Sequence, residues 1–443
     1  MSHFLRKGLK HITGSPEPTS VAPVSTDTTD ARTNVDDIDE EGDEQHNILM
    51  GIITQLRPGS DLSRITLPTF ILERKSMLER ITNQLCHPQL LLDAHMENDE
   101  LLRMLKVVKW YLSGWHIAPK AVKKPLNPIL NEFFTCYWDM PDGSRAYYLA
   151  EQTSHHPPMS AYFYCNPSNH IRVDGVLLPK SRFLGNSAAS LMEGIATLSF
   201  TDRLDADGSP EAYDLTQPNI YARGILFGKL KYELGDHSFI YKANSNLVAD
   251  IEFKTKGFIS GTYNAIEGRI YDKASGIAYF EISGKWNEVM TYKDLRTNKT
   301  SVLFDTFTEQ PVFPKVRPIN EQHPRESRRL WKRVTDALAN RDHTTATDEK
   351  FKIEEQQRKE AKERDEQGVE ITSRYFKRNP SNAEGAIPFI LAKTIDGKTP
   401  EEQEQQILSI SPFVDGQKPT IEQWDEEYLS QAEFVERTHS SAE

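Results

Sequence analysis

Two imidazoles stand side by side, His155 and His156, and Pro157 and Pro158 follow at once. The preceding RAYYLAEQ reads as a strand, so the pair sits at a strand end that the prolines terminate. Adjacent histidines raise the prospect of a metal. Successive strand residues point to opposite faces, however, and no third ligand stands at a useful spacing. Two imidazole N–H groups donating to phosphate oxygens need no third ligand. A second set, Lys350, Glu354 and Arg358, recurs every four residues on a charged stretch expected to be helical from about 347 to 367. That spacing puts all three on one helix face. Taken alone it is an i,i+4 salt-bridge ladder worth about 0.2–0.5 kcal/mol per pair.

Catalytic chemistry finds no matching residues. No cysteine has an arginine six positions on, and no G-x-S-x-G elbow occurs. Gly224 to Lys229 gives only G-x-x-x-G-K, one residue short of a phosphate loop and with no Ser or Thr after the lysine. The sequence points to binding and not to an enzyme. No cofactor and no metal site is expected.

The elements that must position these residues divide the chain. Residues 1–44 read as a disordered arm, Ser-, Thr-, Pro- and Asp-rich over 13–44, although MSHFLRKGLKHI at its start could form a membrane-surface helix. A short helix begins at Asn47, with Ile48, Leu49, Ile52, Ile53 and Leu56 on one apolar stripe. It ends at Arg57-Pro58-Gly59. A segment broken at Pro68 leads to a helical pair within 75–114, with one helix near 75–95 and a second near 98–114. From about 115 to 310, aromatic and β-branched runs alternate with Gly, Asn, Asp and Pro roughly every ten residues, the pattern of a large antiparallel sheet or barrel. Ten or more such strands can close around a cavity. Helices return at 327–340 and over the charged stretch, within a helical part at 311–400. An acidic tail fills 401–443, with one late amphipathic helix around 421–436. The fold class is therefore mainly β with helices (α+β). On patterning alone, the 47–56 helix either packs outside the barrel or closes its mouth as a lid.

Charge and cysteine usage fit this plan. Residues 26–44 carry nine acids and one base, and residues 401–443 carry eleven acids and two bases, so the −12 of the whole chain leaves +5 for the rest. A mildly basic middle suits an anionic ligand or surface. Nothing in it has the footprint of a nucleic-acid binder. Three scattered cysteines, Cys86, Cys136 and Cys165, form no disulfide framework and suit a reducing compartment. No apolar run approaches the roughly 20 residues that span a bilayer. The expected protein is soluble and cytoplasmic.

Glu151-Gln152-Thr153-Ser154-His155-His156-Pro157-Pro158 resembles the fingerprint of the oxysterol-binding-protein-related family. The likeness extends through LKVVKWYLSGWHIAPKAVKKPLNPILNEFF (105–134), PKSRFLGNSAAS (179–190), TQPNIYARGILFGKLKYELGDH (216–237), IEFKTKGFISGTYNAIEGRIYD (251–272) and SRRLWKRVTDAL (327–338). It covers roughly residues 45–400 and is similar to the short, single-domain fungal members. The resemblance implies a near-complete antiparallel barrel around a lipid tunnel (74–400) closed by a lid (45–73), and so favours the lid reading of the 47–56 stripe. It also implies that Lys124, His155, His156, Lys350, Glu354 and Arg358 hold a phosphatidylinositol 4-phosphate head group. Leu126 stands where the common KPFNP-x-x-GE pattern has Phe, and Asn131 where it has Gly. Leu126 and the segment Leu67–Leu72 resemble the subgroup that handles phosphatidylserine, for which Leu67, Thr69 (through its backbone), Lys124, Asn127 and Ser181 are the implied contacts.

The function so implied is exchange of phosphatidylserine against phosphatidylinositol 4-phosphate between membranes, outside vesicles. It would operate at endoplasmic reticulum–plasma membrane contacts, on anionic surfaces, as a monomer helped by a membrane tether. Sterol exchange or phosphoinositide-dependent sensing is the alternative. NEFFT (131–135) is superficially similar to a two-phenylalanine receptor-docking motif, but it falls at a strand start and is expected to be buried.

Overall fold

The computed structural model describes residues 51–52, 56–62, 67–226, 229–257, 261–369, 372–381 and 386–419. The acidic arm, Ile48, Leu49 and Ile53 of the lid stripe, and the expected 421–436 helix lie outside these residues. Strands β1 (Leu72–Ser76) and β2 (Lys124–Leu126) pair with each other in parallel. Between them lie α1 (Met77–Arg80), a 3-10 segment (Ile81–Leu85), α2 (Pro88–His95) and α3 (Glu100–Ser113). The single helix expected over 75–95 is thus broken. Pro88 disfavours helical geometry at His87 and then serves as the first residue of α2.

Thirteen strands then build one antiparallel sheet. They are β3 (Phe133–Asp139), β4 (Arg145–His155), β5 (Pro158–Asn166), β6 (Ile171–Phe183), β7 (Ser187–Leu204), β8 (Pro210–Leu215), β9 (Asn219–Arg223), β10 (Lys231–Lys242), β11 (Leu247–Lys254), β12 (Ala265–Asp272), β13 (Ala278–Lys285), β14 (Val289–Asp294) and β15 (Lys299–Asp305). They pair in the order β15-β14-β13-β12-β11-β10-β8-β7-β6-β5-β4-β3, and β9 bridges β7 and β10. The runs LKYEL and FIYKA, separate in the sequence pattern, belong to one strand, β10.

The barrel is incomplete, because its end strands β3 and β15 do not pair with each other. An open edge invites pairing with other chains. Here the following chain covers β3: Tyr137 and Lys315 exchange backbone hydrogen bonds of 3.0 and 2.7 Å, and Phe133 N donates to Arg325 O at 3.1 Å.

Strands β4 and β5 are buried along nearly their whole length, so both of their faces are covered. Inward residues such as Tyr148, Tyr162 and Tyr164 share a core with α2 and α3. Outward residues Tyr147, Leu149 and Phe163 pack against Tyr375, Phe389, Ile407 and Phe413. These last four belong to the C-terminal part, which carries two short paired strands, β16 (Phe376–Arg378) and β17 (Phe389–Leu391). The helices before them are α4 (Ser327–Leu330), α5 (Lys332–Ala339) and α6 (His343–Gln367), and α7 (Pro400–Leu408) follows. The packed body therefore runs past the boundary expected at 400. Glu401 and Glu402 of α7 face solvent and Glu404 accepts from the Tyr147 hydroxyl, while Ile407, Ile410 and Phe413 are buried.

Two buried carboxylates fasten these layers. Glu132 is inaccessible to solvent and accepts from Ser76 Oγ, Ser327 Oγ (2.7 Å), Trp331 Nε1 (2.9 Å) and Ile129 N (3.0 Å). It ties β1, the KPLNP loop and α4 to the start of β3. Asn131 just before it has φ +60°, a left-handed backbone that Asn tolerates and Gly favours. This accounts for the Gly-to-Asn departure. Phe133 and Phe134 are buried, as expected for NEFFT.

Glu151 is equally enclosed and accepts from Arg374 N (2.7 Å) and Tyr375 N (2.8 Å). Burial raises its pKa to about 7, against the pull of those backbone donors.

Glu132→Ala leaves Ser76 Oγ, Trp331 Nε1 and Ile129 N without this acceptor, Ser327 Oγ keeping the Phe133 carbonyl, and should cost about 3–5 kcal/mol in urea unfolding. A loss below about 1 kcal/mol would show that the hub is not structural. Glu151→Gln sets an amide donor against a backbone N–H and should cost about 1–3 kcal/mol. The folded pKa of Glu151 is raised above the ordinary 4.5. Its contribution is therefore full below the unfolded value and lost as pH rises through about 7. The melting-temperature gap between wild type and Glu151→Gln should narrow over that interval, and a constant gap would contradict the assignment.

Candidate functional site

The sheet encloses a cavity of about 930 Å³, at the upper end of the roughly 300–1,000 Å³ typical of ligand sites. Its depth is apolar, with Trp110, Trp115, Val173, Ala196, Leu215 and Tyr232 in the wall. Tyr162 reaches this wall by lying across Gly175, where a Cβ would stand 2.2 Å from the tyrosine Cζ.

One side of the mouth is made by the chain between the lid and β1. Ile52, Leu56 and Leu67 join the cavity wall. Gly59 N donates to Phe183 O (2.6 Å) and Phe183 N to Ser60 O (2.9 Å), stitching this chain to the end of β6. Leu62, Phe70, Phe183 and Ile225 form a small core beneath it, with Leu56 and Ile71 packed against them.

The polar residues converge on the opposite side. The β4–β5 register shifts between Gln152 and Ser154, and such a bulge re-aims the residues beyond it. Before the bulge the alternation of β4 holds, so Glu151 faces outward to the C-terminal segment while Gln152 joins the cavity wall, accepting from Ser160 Oγ (2.6 Å) and donating to Ser154 O (2.8 Å).

Strict alternation would send the two histidines to opposite faces, but His155 ends the strand and His156 begins the turn. Their rings meet edge to face, 4.4 Å apart, with His155 Nδ1 3.1 Å from His156 Nε2. Burial, followed by the neighbouring His156, pushes His155 down to about 4, while the Glu354 carboxylate opposes the shift.

Helix α6 supplies the rest. Its face at Lys350, Glu354, Gln357, Arg358, Ala361 and Asp365 runs along the cavity. Asp342 caps the helix, accepting from Thr345 N at 3.0 Å. Lys350 and Glu354 form an ion pair, so the ladder reading holds for that pair. Arg358 instead lies over the Phe351 ring, 5.6 Å from its centroid.

Lys124 on β2 faces this group across the mouth. Burial lowers its pKa, and repulsion from Lys350 adds to that, while Asp61 and Glu354 oppose it. Lys124, His155, Lys350 and Glu354 are thus electrostatically coupled although they come from three elements.

Asn127, Ser181 and Leu67 also line the cavity, Asn127 at its exposed rim. Thr69 does not. Its hydroxyl lies 3.3 Å from the His343 carbonyl and 3.4 Å from Thr347 Oγ1, holding the segment to the start of α6. The site contains residues that the sequence reading missed. Gln357 follows Glu354 at i+3 on the same face, a spacing that signals it. Lys123 donates to Phe70 O at 2.7 Å and borders the cavity, which no sequence feature marks. Among the described residues no three His, Cys, Asp or Glu side chains cluster as metal ligands. No described helix is long and apolar enough to cross a membrane.

This architecture has known counterparts. A family model described as oxysterol-binding protein matches residues 51–337. The chain is 58% identical to oxysterol-binding protein homolog 6 of Saccharomyces cerevisiae, over 89% of this chain and 87% of that protein. It is 60% identical to homolog 7 of the same yeast, over 84% and 85%. In structure it is similar to the Osh1 ORD domain in complex with cholesterol, with TM-score 0.67 and 25% identity, covering 81% of this chain and 88% of that one. An enclosed apolar cavity with a cationic mouth, carried on these matches, places the chain in the oxysterol-binding protein family, whose members bind and transfer lipids and are not enzymes.

Proposed function

We propose that the protein extracts phosphatidylserine from one membrane and exchanges it for phosphatidylinositol 4-phosphate at another, acting at contacts between endoplasmic reticulum and plasma membrane. The observation that carries this reading is the position of Lys124. It lines one cavity together with His155, His156 and the α6 face and with Asn127 and Ser181, and it is electrostatically coupled to Lys350 and Glu354. Two anionic head groups would compete for that ammonium and could not bind together. A gradient of one lipid then drives the other.

The physics of the cavity agrees. A two-chain phospholipid exposes about thirty acyl carbons, and each buried methylene is worth about 0.8 kcal/mol, so bare transit through water would cost more than about 20 kcal/mol. An apolar depth with the lid residues Ile52 and Leu56 in its wall removes that cost. At the mouth, neutral His155 offers an N–H to a phosphate oxygen. A bound phosphate would favour the imidazolium and raise the depressed pKa, so head-group binding takes up protons. A tether would recruit the protein to the contact, and anionic bilayers would attract its basic middle.

Transfer between liposomes tests the reading. His155→Ala/His156→Ala should lose phosphoinositide extraction by about a hundredfold, from two charge-assisted hydrogen bonds, and keep phosphatidylserine extraction. Lys124→Ala should lose both, and retention of either lipid would refute competition for one ammonium. Phosphoinositide affinity should rise from neutral to mildly acidic pH in wild type and stay flatter in the double histidine variant. Native mass spectrometry of the co-purified lipid decides the partner lipid. Sterol alone would favour the sterol exchange that the cholesterol complex of the similar Osh1 domain suggests.

A further inference from the structure

A second cavity, of about 990 Å³, adjoins the first. Arg80, Asn83, Ile117, Val122, Leu230 and Tyr232 border both and form the partition. In the antiparallel order, the end of β4 and the starts of β10 and β14 lie at the same end of the barrel. The second cavity therefore sits beside the lipid mouth on one face of the molecule, between β1, the 116–122 loop, the start of β10 and the β13–β14 turn.

Its chemistry differs from that of its neighbour. Glu73 in its wall is engaged by Arg80 through two hydrogen bonds of 2.9 and 3.0 Å. Among the described residues neither Lys75 nor Lys231, both in the wall, has a carboxylate partner. Each ammonium rests on an aromatic ring instead. Lys231 Nζ lies 3.9 Å from the centroid of Tyr263, which Lys256 Nζ approaches to 4.4 Å, and Lys75 Nζ lies 5.8 Å from that of Phe313. A ring face balances part of the charge, and the ammonium donors of Lys231, which is exposed, remain available to exchange water for a ligand.

The wall also holds a buried donor with no partner. Trp286 is 6% exposed and its Nε1 makes no hydrogen bond. A buried indole N–H normally finds an acceptor. Lysines without carboxylates and an unmet N–H call for a ligand with several acceptor oxygens and negative charge.

We propose that this cavity is a second anion site, separate from the His155/His156 mouth, that takes a phosphate group. Lys231, Lys75 and Trp286 would supply the donors, and Tyr263 holds Lys231 in place. The source is either a phospholipid head group of the bilayer facing this end of the barrel or a soluble phosphate ester. The inference goes beyond lipid exchange and would stand if the exchanged lipids proved different.

The test uses the full chain carrying His155→Ala/His156→Ala, so that phosphoinositide binding at the first mouth is weakened, and the second-cavity variants are read against that background. Inositol hexakisphosphate is titrated by calorimetry in one arm. In the other, phosphatidylcholine vesicles with and without phosphatidic acid are floated with the protein. Anion-dependent binding should persist in at least one arm. Lys231→Gln/Tyr263→Leu, and separately Lys75→Gln from another part of the wall, should each weaken it about tenfold. Weakening in the vesicle arm alone assigns a bilayer head group, and weakening of the soluble arm shows that phosphate itself suffices. Binding indifferent to both variants, or absent from both arms, overturns the site. In the otherwise wild-type chain, phosphatidylserine extraction by these variants reports folding, and Lys75→Gln keeps the test decisive if the double change does not fold.

Discussion

A barrel wrapped around a void must find its stability away from its own interior. Filled by nothing, a dry cavity of about 930 Å³ would cost on the order of 20 kcal/mol at the cavity penalty measured for core deletions. That exceeds the roughly 5–15 kcal/mol stability of an ordinary domain. Burying the chains of a two-chain lipid yields a gain of the same order. The empty and loaded forms therefore differ greatly in stability, and the protein must be held together by what surrounds the cavity. The α2–α3 pair fills the part of the barrel that the cavity leaves, and the C-terminal segment covers the outer face of β3–β6.

The same covering positions the site. Glu132 ties β1, the KPLNP loop and α4 to one point, and β2 with Lys124 follows from that arrangement. Glu151 locks the outer face of β4 to the segment after α6, while its neighbour Gln152 holds the bulge that brings His155 and His156 together. The mouth is thus assembled by buried carboxylates that never touch the cavity. Burial of Lys124 and His155 then lowers the pKa of both. The mouth gains most from an anion because it is poorly compensated without one.

Much of this was legible in the sequence. The run of aromatic and β-branched segments identified an antiparallel barrel, and EQTSHHPP with its companion strings identified the family. The i,i+4 spacing of Lys350, Glu354 and Arg358 gave a shared helix face, which the structure lays along the mouth. Local signals were also right about NEFFT, since Phe133 and Phe134 point to opposite faces of β3 and both faces are covered. Local patterning failed where non-local contacts decide. Ile407, Ile410 and Phe413 sit in an acidic stretch that reads as tail, and only the apolar outer face of β4 and β5 explains their burial. The region 75–95 carries helical periodicity throughout, yet Leu72–Ser76 pairs with β2 and Pro88 divides the remainder.

The sequence by itself determined the barrel, its family and the residue types available to an anionic head group, because periodicity and motif are local properties of the chain. Only the tertiary structure decided which of them meet. It brought His155 against His156 through a bulge, added Gln357 and Lys123 to the cavity wall, and gave Thr69 to α6. It also placed a second, lysine-lined cavity beside the first, built from segments more than two hundred residues apart. Charge and void arise there from packing between distant segments, and no local pattern records such packing.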